Sequence, residues 1–356
     1  MYKRQSYNNA AVDKWGNYKD VPNGSCDNVD FPYVDQFETT MAEHDTQAGV
    51  WNLKEIGLPS GGRIKIEYEA DTYAYVQDQV AMQMTPIVGL GEFGHTGIQL
   101  ITGCDGTNDD PSDCLAESRR VYFELEESIS SSDDIFTTMT DKEFVENYYL
   151  EGDDKVYFKI KSVLTNTSAD LQEYVGGYAG VVDAGLYEDV SGSYTMGWID
   201  LDFVEVATKG EGLTKEYYHP FQVAAWQHVY TNQPSVMYDL GNAYTGKESL
   251  SAAETAAFGK SLITAFADFG QIFNGIYKWM YERGWGEKVI VTESYLRLKS
   301  PDKNKVGGGS RVKQITIQDN WGESTLSEDT EIYGQRYVYT TAVSYTHLTL
   351  PTKVTV

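Results

Sequence analysis

The residues best suited to chemistry lie in "CDGTNDDPSD" (104–113), where Asp105, Asn108, Asp109, Asp110 and Asp113 crowd a short run with glycine and proline. Hard oxygen donors in a bent loop are the ligands that calcium takes. The spacing misses the EF-hand pattern and has no glutamate in the closing role, so a plain solvated acidic loop is the competing reading. Cys104 and Cys114 flank the same run. A disulfide between them would close the loop, contribute about 2–4 kcal/mol and imply an oxidising compartment. The alternative is free or separately placed thiols, and Cys26 has no partner within this scheme.

Other catalytic patterns are poorly supported. His44, His95, His219, His228 and His347 include no "HExxH" pair. His219 and His228 are nine apart, which on a regular helix puts them on opposite faces. No "GxSxG" nucleophile elbow occurs. The glycine runs "PSGG" and "GGGSR" lack the lysine and spacing of a phosphate loop, and they feed strands instead of opening helices. Glu124 with Glu126, and Asp200 with Asp202, share strand faces by alternation, as happens in any acidic sheet. Glycoside hydrolysis needs two carboxyls converging on one cleft, and the sequence selects no such pair. Trp198, Tyr178, Tyr187 and Tyr194 sit among polar residues and could stack on sugar rings; packing within a sheet is the other reading. No catalytic residue is therefore expected, and no cofactor beyond calcium.

The background is strongly acidic. The 356 residues carry 53 Asp and Glu against 28 Lys and Arg, a net charge of −25. Such a surface repels nucleic-acid phosphates, and no basic stripe offsets it in the sequence. The 27 tyrosines push toward sheet, since aromatic side chains suit half-buried strands. No apolar run is long enough for a transmembrane helix.

The elements that must position these residues are mostly strands. Residues 1–49 read as linker, rich in Asn, Asp, Gly and Pro. Residues 50–100 form a first hairpin module, in which "PSGG" turns into "RIKIEYEA"; its Ile64, Ile66, Tyr68 and Ala70 face one way and its charges the other. Residues 101–246 form an acidic insert with strands at 119–127, 155–164 and 196–207. Short helices are expected after Thr140, capped with Glu143, and after His219, with Pro220 in the first turn. Residues 247–286 read as one long helix, capped by Ser251 and Glu254, with Phe258, Leu262, Phe266, Phe269, Phe273, Ile276 and Met280 on one face. Residues 287–343 form a second hairpin module, with "PDKNKVGGG" as loop and "SRVKQITIQD" as returning strand. The turn glycines are then Gly61, Gly62, Gly308 and Gly309. The fold class is mainly β (α+β): antiparallel sheet hairpins with an inserted region carrying one long helix and short helices.

"LPSGGRIKIEYEAD" followed by "YAYVQDQVAMQM" resembles segments of very large secreted or surface proteins of Bacteroidota. Some of these resemble the Rhs/YD-repeat shells, in which a "GG-(L)R-(V)K-x-I" strand and a later "YxYT" strand recur. The matching stretches are Gly61 to Ile66, Gly308 to Ile315 and Tyr333 to Thr340, 22 of the 356 residues. The "YD" repeats and the self-cleaving boundary of that family are missing, so neither toxin delivery nor any catalytic residue is carried over. The opening "MYKRQ" and closing "SYTHLTLPT" resemble translated sequencing-adapter DNA, which makes 344–356 a non-native tail and the chain a metagenomic fragment from inside a longer protein. Two hairpin modules with no convergent catalytic set point to a non-enzymatic structural or surface scaffold segment, and the possible disulfide together with the resemblance implies a large exported protein, extracellular or on the outer cell surface. Its partners would be the rest of its parent polypeptide and a glycan or protein surface, with no nucleic acid. The alternatives are a glycan- or calcium-binding module and a carboxylate-dependent hydrolase.

Overall fold

The computed structural model of the protein describes residues 11–20, 31–37, 40–76, 79–92, 115, 118–165, 171–189, 192–207, 215–233, 280–281, 284–302, 304–319, 332–339, 343–344 and 353–355. In chain order, helix α1 (Met41–Ala48) precedes strands β1 (Glu55–Gly57), β2 (Arg63–Val76), β3 (Gln79–Val80), β4 (Gln83–Glu92) and β5 (Ser118–Ser130). Helix α2 (Asp141–Val145) leads to β6 (Lys155–Thr165), β7 (Leu171–Glu188), β8 (Ser193–Leu201), β9 (Val204–Ala207), β10 (Lys215–Tyr218) and helix α3 (Pro220–Asn232). Strands β11 (Lys288–Leu298), β12 (Lys305–Gln318), β13 (Ile332–Val338), β14 (Val343–Ser344) and β15 (Lys353–Thr355) complete the order. The protein is mainly β, with antiparallel hairpins, and it divides into two compact units: Met1–Met84 with Lys299–Val356, and Thr85–Leu298.

The first unit is a sheet in the order β1-β2-β12-β13-β15, with β3 and β14 also paired to β2. The "PSGG" turn works as its residue types require. Gly61 has φ +87°, a left-handed conformation that suits a residue without Cβ. The turn is closed by Leu58 N–H donating to Gly62 O at 2.8 Å and Gly61 N–H to Leu58 O at 3.0 Å. The two glycine-led segments meet directly: β2 and β12 run antiparallel from Arg63↔Gln318 to Tyr73↔Lys305.

Gly308 and Gly309, expected in a turn, instead lie inside β12, at a bulge between the pairs Val306↔Thr72 and Ser310↔Ala70. The physical reason is close approach. A Cβ on Gly308 would overlap Asp13 Oδ2. Asp13 is held there because its Oδ1 accepts from the N–H groups of Trp15 and Asn17, each at 2.8 Å.

Residues 40–48 also correct the expectation of linker over 1–49. Thr40 and Glu43 form a reciprocal capping box that starts α1. Asp45 of that helix accepts from Ala70 N–H at 2.8 Å, fastening α1 to β2.

The second unit is a closed six-stranded barrel in the order β11-β4-β5-β8-β7-β6. Alternation sets the inward face: Val121, Phe123 and Leu125 on β5, Val156, Phe158 and Ile160 on β6, and Ile199 and Leu201 on β8 are all buried. Large inward rings require small neighbours. A Cβ on Gly197 would collide with the Phe123 ring, and one on Gly177 would lie 2.6 Å from Phe158 Cζ. Glycines that weaken strand propensity therefore let two phenylalanines fill the interior. Two helical segments add to this core from different connections. Between β5 and β6, α2 starts from its Thr140–Glu143 capping box and widens into one π-type turn over Glu146–Leu150. The Tyr149 ring of that turn packs 5.1 Å from Phe123. Between β10 and β11, Phe221 of α3 packs 4.6 Å from Phe158, and Trp226 Nε1–H donates to Trp285 O at 2.6 Å. The barrel is a packed core, with each fully buried large side chain contributing about 1.5–3 kcal/mol.

Of the expected long helix over 247–286, residues 247–279 and 282–283 lie outside the described residues; Met280 is fully buried in the barrel core.

Candidate functional site

Cys26, Cys104, Cys114, Asp105, Asn108, Asp109, Asp110 and Asp113 lie outside the described residues, as do His95 and His347. Among the described residues, no three His, Cys, Asp or Glu side chains gather as a metal ion requires. Three groups of polar side chains stand out in the barrel unit.

The first surrounds Asp200. Arg120 and Asp200 face each other across β5 and β8 and form a two-pronged pair, Nε to Oδ1 at 2.8 Å and Nη2 to Oδ2 at 2.9 Å. Asp200 is 1% exposed, so its carboxylate is committed to Arg120 and is no free acid or base. The guanidinium also lies 3.5 Å over the Trp198 ring, covering one face of that indole. Asp202, the other half of the expected pair, is exposed beyond the end of β8, and Glu124 is likewise exposed.

The second group contains the histidines of α3. His219 caps the helix: its Nδ1 accepts from Phe221 N–H at 3.1 Å. An accepting Nδ1 puts the remaining proton of a neutral ring on Nε2. That Nε2 is buried with no hydrogen-bond partner, between Phe203 at 5.7 Å and Phe221 at 4.6 Å. Burial, reinforced by the positive charge of Arg119, pulls the imidazole pKa down to about 3. His228, nine residues on, approaches Glu173 of β7 at 2.7 Å, while Gln233 donates to the other oxygen of that carboxylate at 2.5 Å. The two histidines do not converge. His44, on α1 of the other unit, is buried too, and burial lowers its pKa.

The third group is a face that sequence reading did not single out. On β6, Tyr157, Lys159 and Lys161 alternate with the buried residues and so face away from the barrel core. Register sets Tyr157 beside Tyr178, Lys159 beside Gly176 and Lys161 beside Tyr174 on one flank; Arg297 lies beside Tyr157 on the other. The signal was present as "KVYFKIK" against "YVGGY", but the third strand, β11, enters from more than a hundred residues away. Of the four aromatic residues first considered for sugar stacking, Tyr178 alone is fully exposed, at 61%. Trp198 is covered by Arg120 and donates to Leu186 O at 3.1 Å; Tyr187 packs edge-on to Tyr122, and Tyr194 to Phe136.

Comparison with protein-family models, with curated proteins and with solved structures finds no match in any of the three. Among the described residues no helix is long and apolar enough to cross a membrane.

Proposed function

We infer that the chain is a non-enzymatic structural module of a large exported or surface protein. The carrying observation is the filled barrel: Leu90, Phe123, Phe158, Ile160 and Ile199 occupy its interior almost without exposure, and two helical segments pack onto that core. A barrel packed in this way works as a rigid body that presents its outer faces. Its buried carboxylate Asp200 is held in a two-pronged pair with the Arg120 guanidinium. The likeness to shell-forming proteins of Bacteroidota supports the export part of this reading. The three segments that carry it, in β2, β12 and β13, lie side by side in one sheet.

Turnover assays of the purified full chain against polysaccharide and peptide libraries test the reading. No hydrolysis is expected with or without calcium. Hydrolysis that survives repurification and is lost on substituting a single Asp or Glu would replace it with the hydrolase reading.

A further inference from the structure

The outer face of β6, β7 and β11 is basic in a chain whose net charge is −25. Lys159, Lys161 and Arg297 share it with a single acid on the same face of β11, Glu293, which pairs with Lys161 at 2.5 Å. Arg297 is the distinctive member. Its guanidinium lies 4.7 Å from the Tyr157 ring centre and 5.8 Å from that of Tyr178. Its one hydrogen bond goes from Nη2 to Tyr178 Oη at 2.9 Å, Nε has no partner, and no carboxylate of the described residues lies within ion-pairing distance. A guanidinium left without a counter-charge among so many carboxylates marks a place prepared for an incoming anion.

Tyr178 supplies the second half of the site. On its face of β7 its neighbours are Gly176 and Gly180; the Tyr157 side chain lies over the first and Asp202 beside the second, and Tyr178 remains 61% exposed. Tyr157 meets it edge to face, centres 5.2 Å apart at 65°, which fixes the ring in place. An exposed tyrosine ring held in this way fits a flat apolar surface such as the face of a sugar ring. The geometry points to an acidic glycan as the occupant: a sugar ring stacked on Tyr178, with its carboxylate received by Arg297.

Charge placement favours this ligand over nucleic acid. Glu293 stands at one end of the patch, and the Asp202 carboxylate lies close to Gly180 at the other. A backbone with a phosphate at every residue would run across both acids, whereas a glycan with spaced carboxylates need place only one between them. The tyrosines also lack the pattern for stacking successive bases, because Arg297 covers Tyr157 and two lysines lie over Tyr174.

The site goes beyond the structural reading and can fail without it. Calorimetric titration of the full chain with hyaluronan oligosaccharides, in which a carboxylate falls only on every second sugar, is the test, with a neutral maltooligosaccharide and oligo-dT in parallel arms. The hyaluronan oligosaccharide is expected to bind and to weaken as salt rises. Tyr178→Ala and Arg297→Gln are each expected to lower affinity at least ten-fold with the far-ultraviolet circular dichroism unchanged. Tyr178 is exposed, so its replacement leaves the fold intact even if the Arg297 variant does not fold. No heat at millimolar hyaluronan oligosaccharide, equal binding of the neutral sugar, or unchanged affinity in the Tyr178 variant would overturn the proposal. Tighter binding of oligo-dT would reassign the face to nucleic acid. Concentration-dependent self-association in sedimentation, lost in Tyr178→Ala, would reassign it to a contact between copies.

Discussion

The buried imidazole of His219 makes the barrel unit sensitive to acid in a way that can be calculated. In the folded chain this ring resists protonation, because burial and Arg119 both disfavour a second positive charge, and its pKa falls from the ordinary 6.5 to about 3. Between those values the unfolded chain binds a proton that the folded chain refuses. Stability therefore rises with pH through that window and is lost as pH falls below the unfolded value. With those two values, linkage gives a loss of about 2 kcal/mol on going from pH 7 to pH 5 from this one group. The environment offers no compensation: the aromatic rings of Phe203 and Phe221 flank the imidazole, and Nε2 has no acceptor among the described residues.

His219→Asn isolates the proton. The asparagine oxygen can accept the Phe221 N–H bond that caps α3 but cannot titrate. Lost ring packing lowers stability at every pH, whereas only the wild type carries the pH-dependent part. Urea denaturation at pH 7 and pH 5 should show the wild type losing about 2 kcal/mol more than the variant across that interval. The Cε1–H resonance of His219 should stay in its neutral position down to about pH 4. Parallel losses in the two proteins, or a resonance titrating near the ordinary histidine value, would refute the reasoning.

Three further outcomes follow from the same packing. Gly197→Ala should destabilise the protein by about 1–3 kcal/mol, because the new methyl meets the Phe123 ring; Phe123→Leu in the same chain should recover part of the loss, and a neutral single variant would mean the interior is not close-packed. Asp200→Asn should lower the denaturation free energy by about 3 kcal/mol, since it strands a guanidinium only 13% exposed. The pair Arg120→Met with Asp200→Leu should restore most of it, and an undiminished loss in the double variant would show that the ion pair itself stabilises. In pulse-labelled hydrogen exchange during refolding, β6 and β7 amides should be protected before those of β2 and β12. The first pair is joined by one short connection, whereas Glu69 and Arg311 are 242 residues apart. Simultaneous protection would contradict that order.

Local grammar was legible where side-chain spacing and backbone chemistry agree. The alternation in "RIKIEYEA" gives β2, Pro220 at the first turn gives the start of α3, and Thr140 with Glu143 gives the start of α2. The same box at Thr40 and Glu43 carried the signal for α1, but its polar surroundings obscured it. The longest strand, β7, was missed for a physical reason. "LQEYVGGYAGVVDAGLYE" holds four glycines that lower strand propensity, and they are selected by what lies opposite: Gly177 by Phe158, Gly180 by Asp202 and Gly185 by Trp198. Propensity is a property of one residue, whereas these glycines answer to partners on other strands.

Barrel closure explains why the candidate binding face was also hidden. Strand β11 pairs with β6, from Lys288↔Val163 to Arg297↔Tyr157, although β10, α3 and a long stretch of chain intervene. Periodicity can assign Lys159 and Tyr157 to an outward face, but it cannot say which third strand will flank them. Only that pairing puts Arg297 against Tyr157 and within reach of Tyr178. An acidic composition correctly describes the average field around this chain, yet a ligand within a Debye length of about 8–10 Å responds to the few charges that strand register brings together. Net charge thus argues against polyanions at long range, while the sheet face formed by β6, β7 and β11 is locally positive. The two statements hold at different distances, and an anion of low charge density is the class of partner that satisfies both.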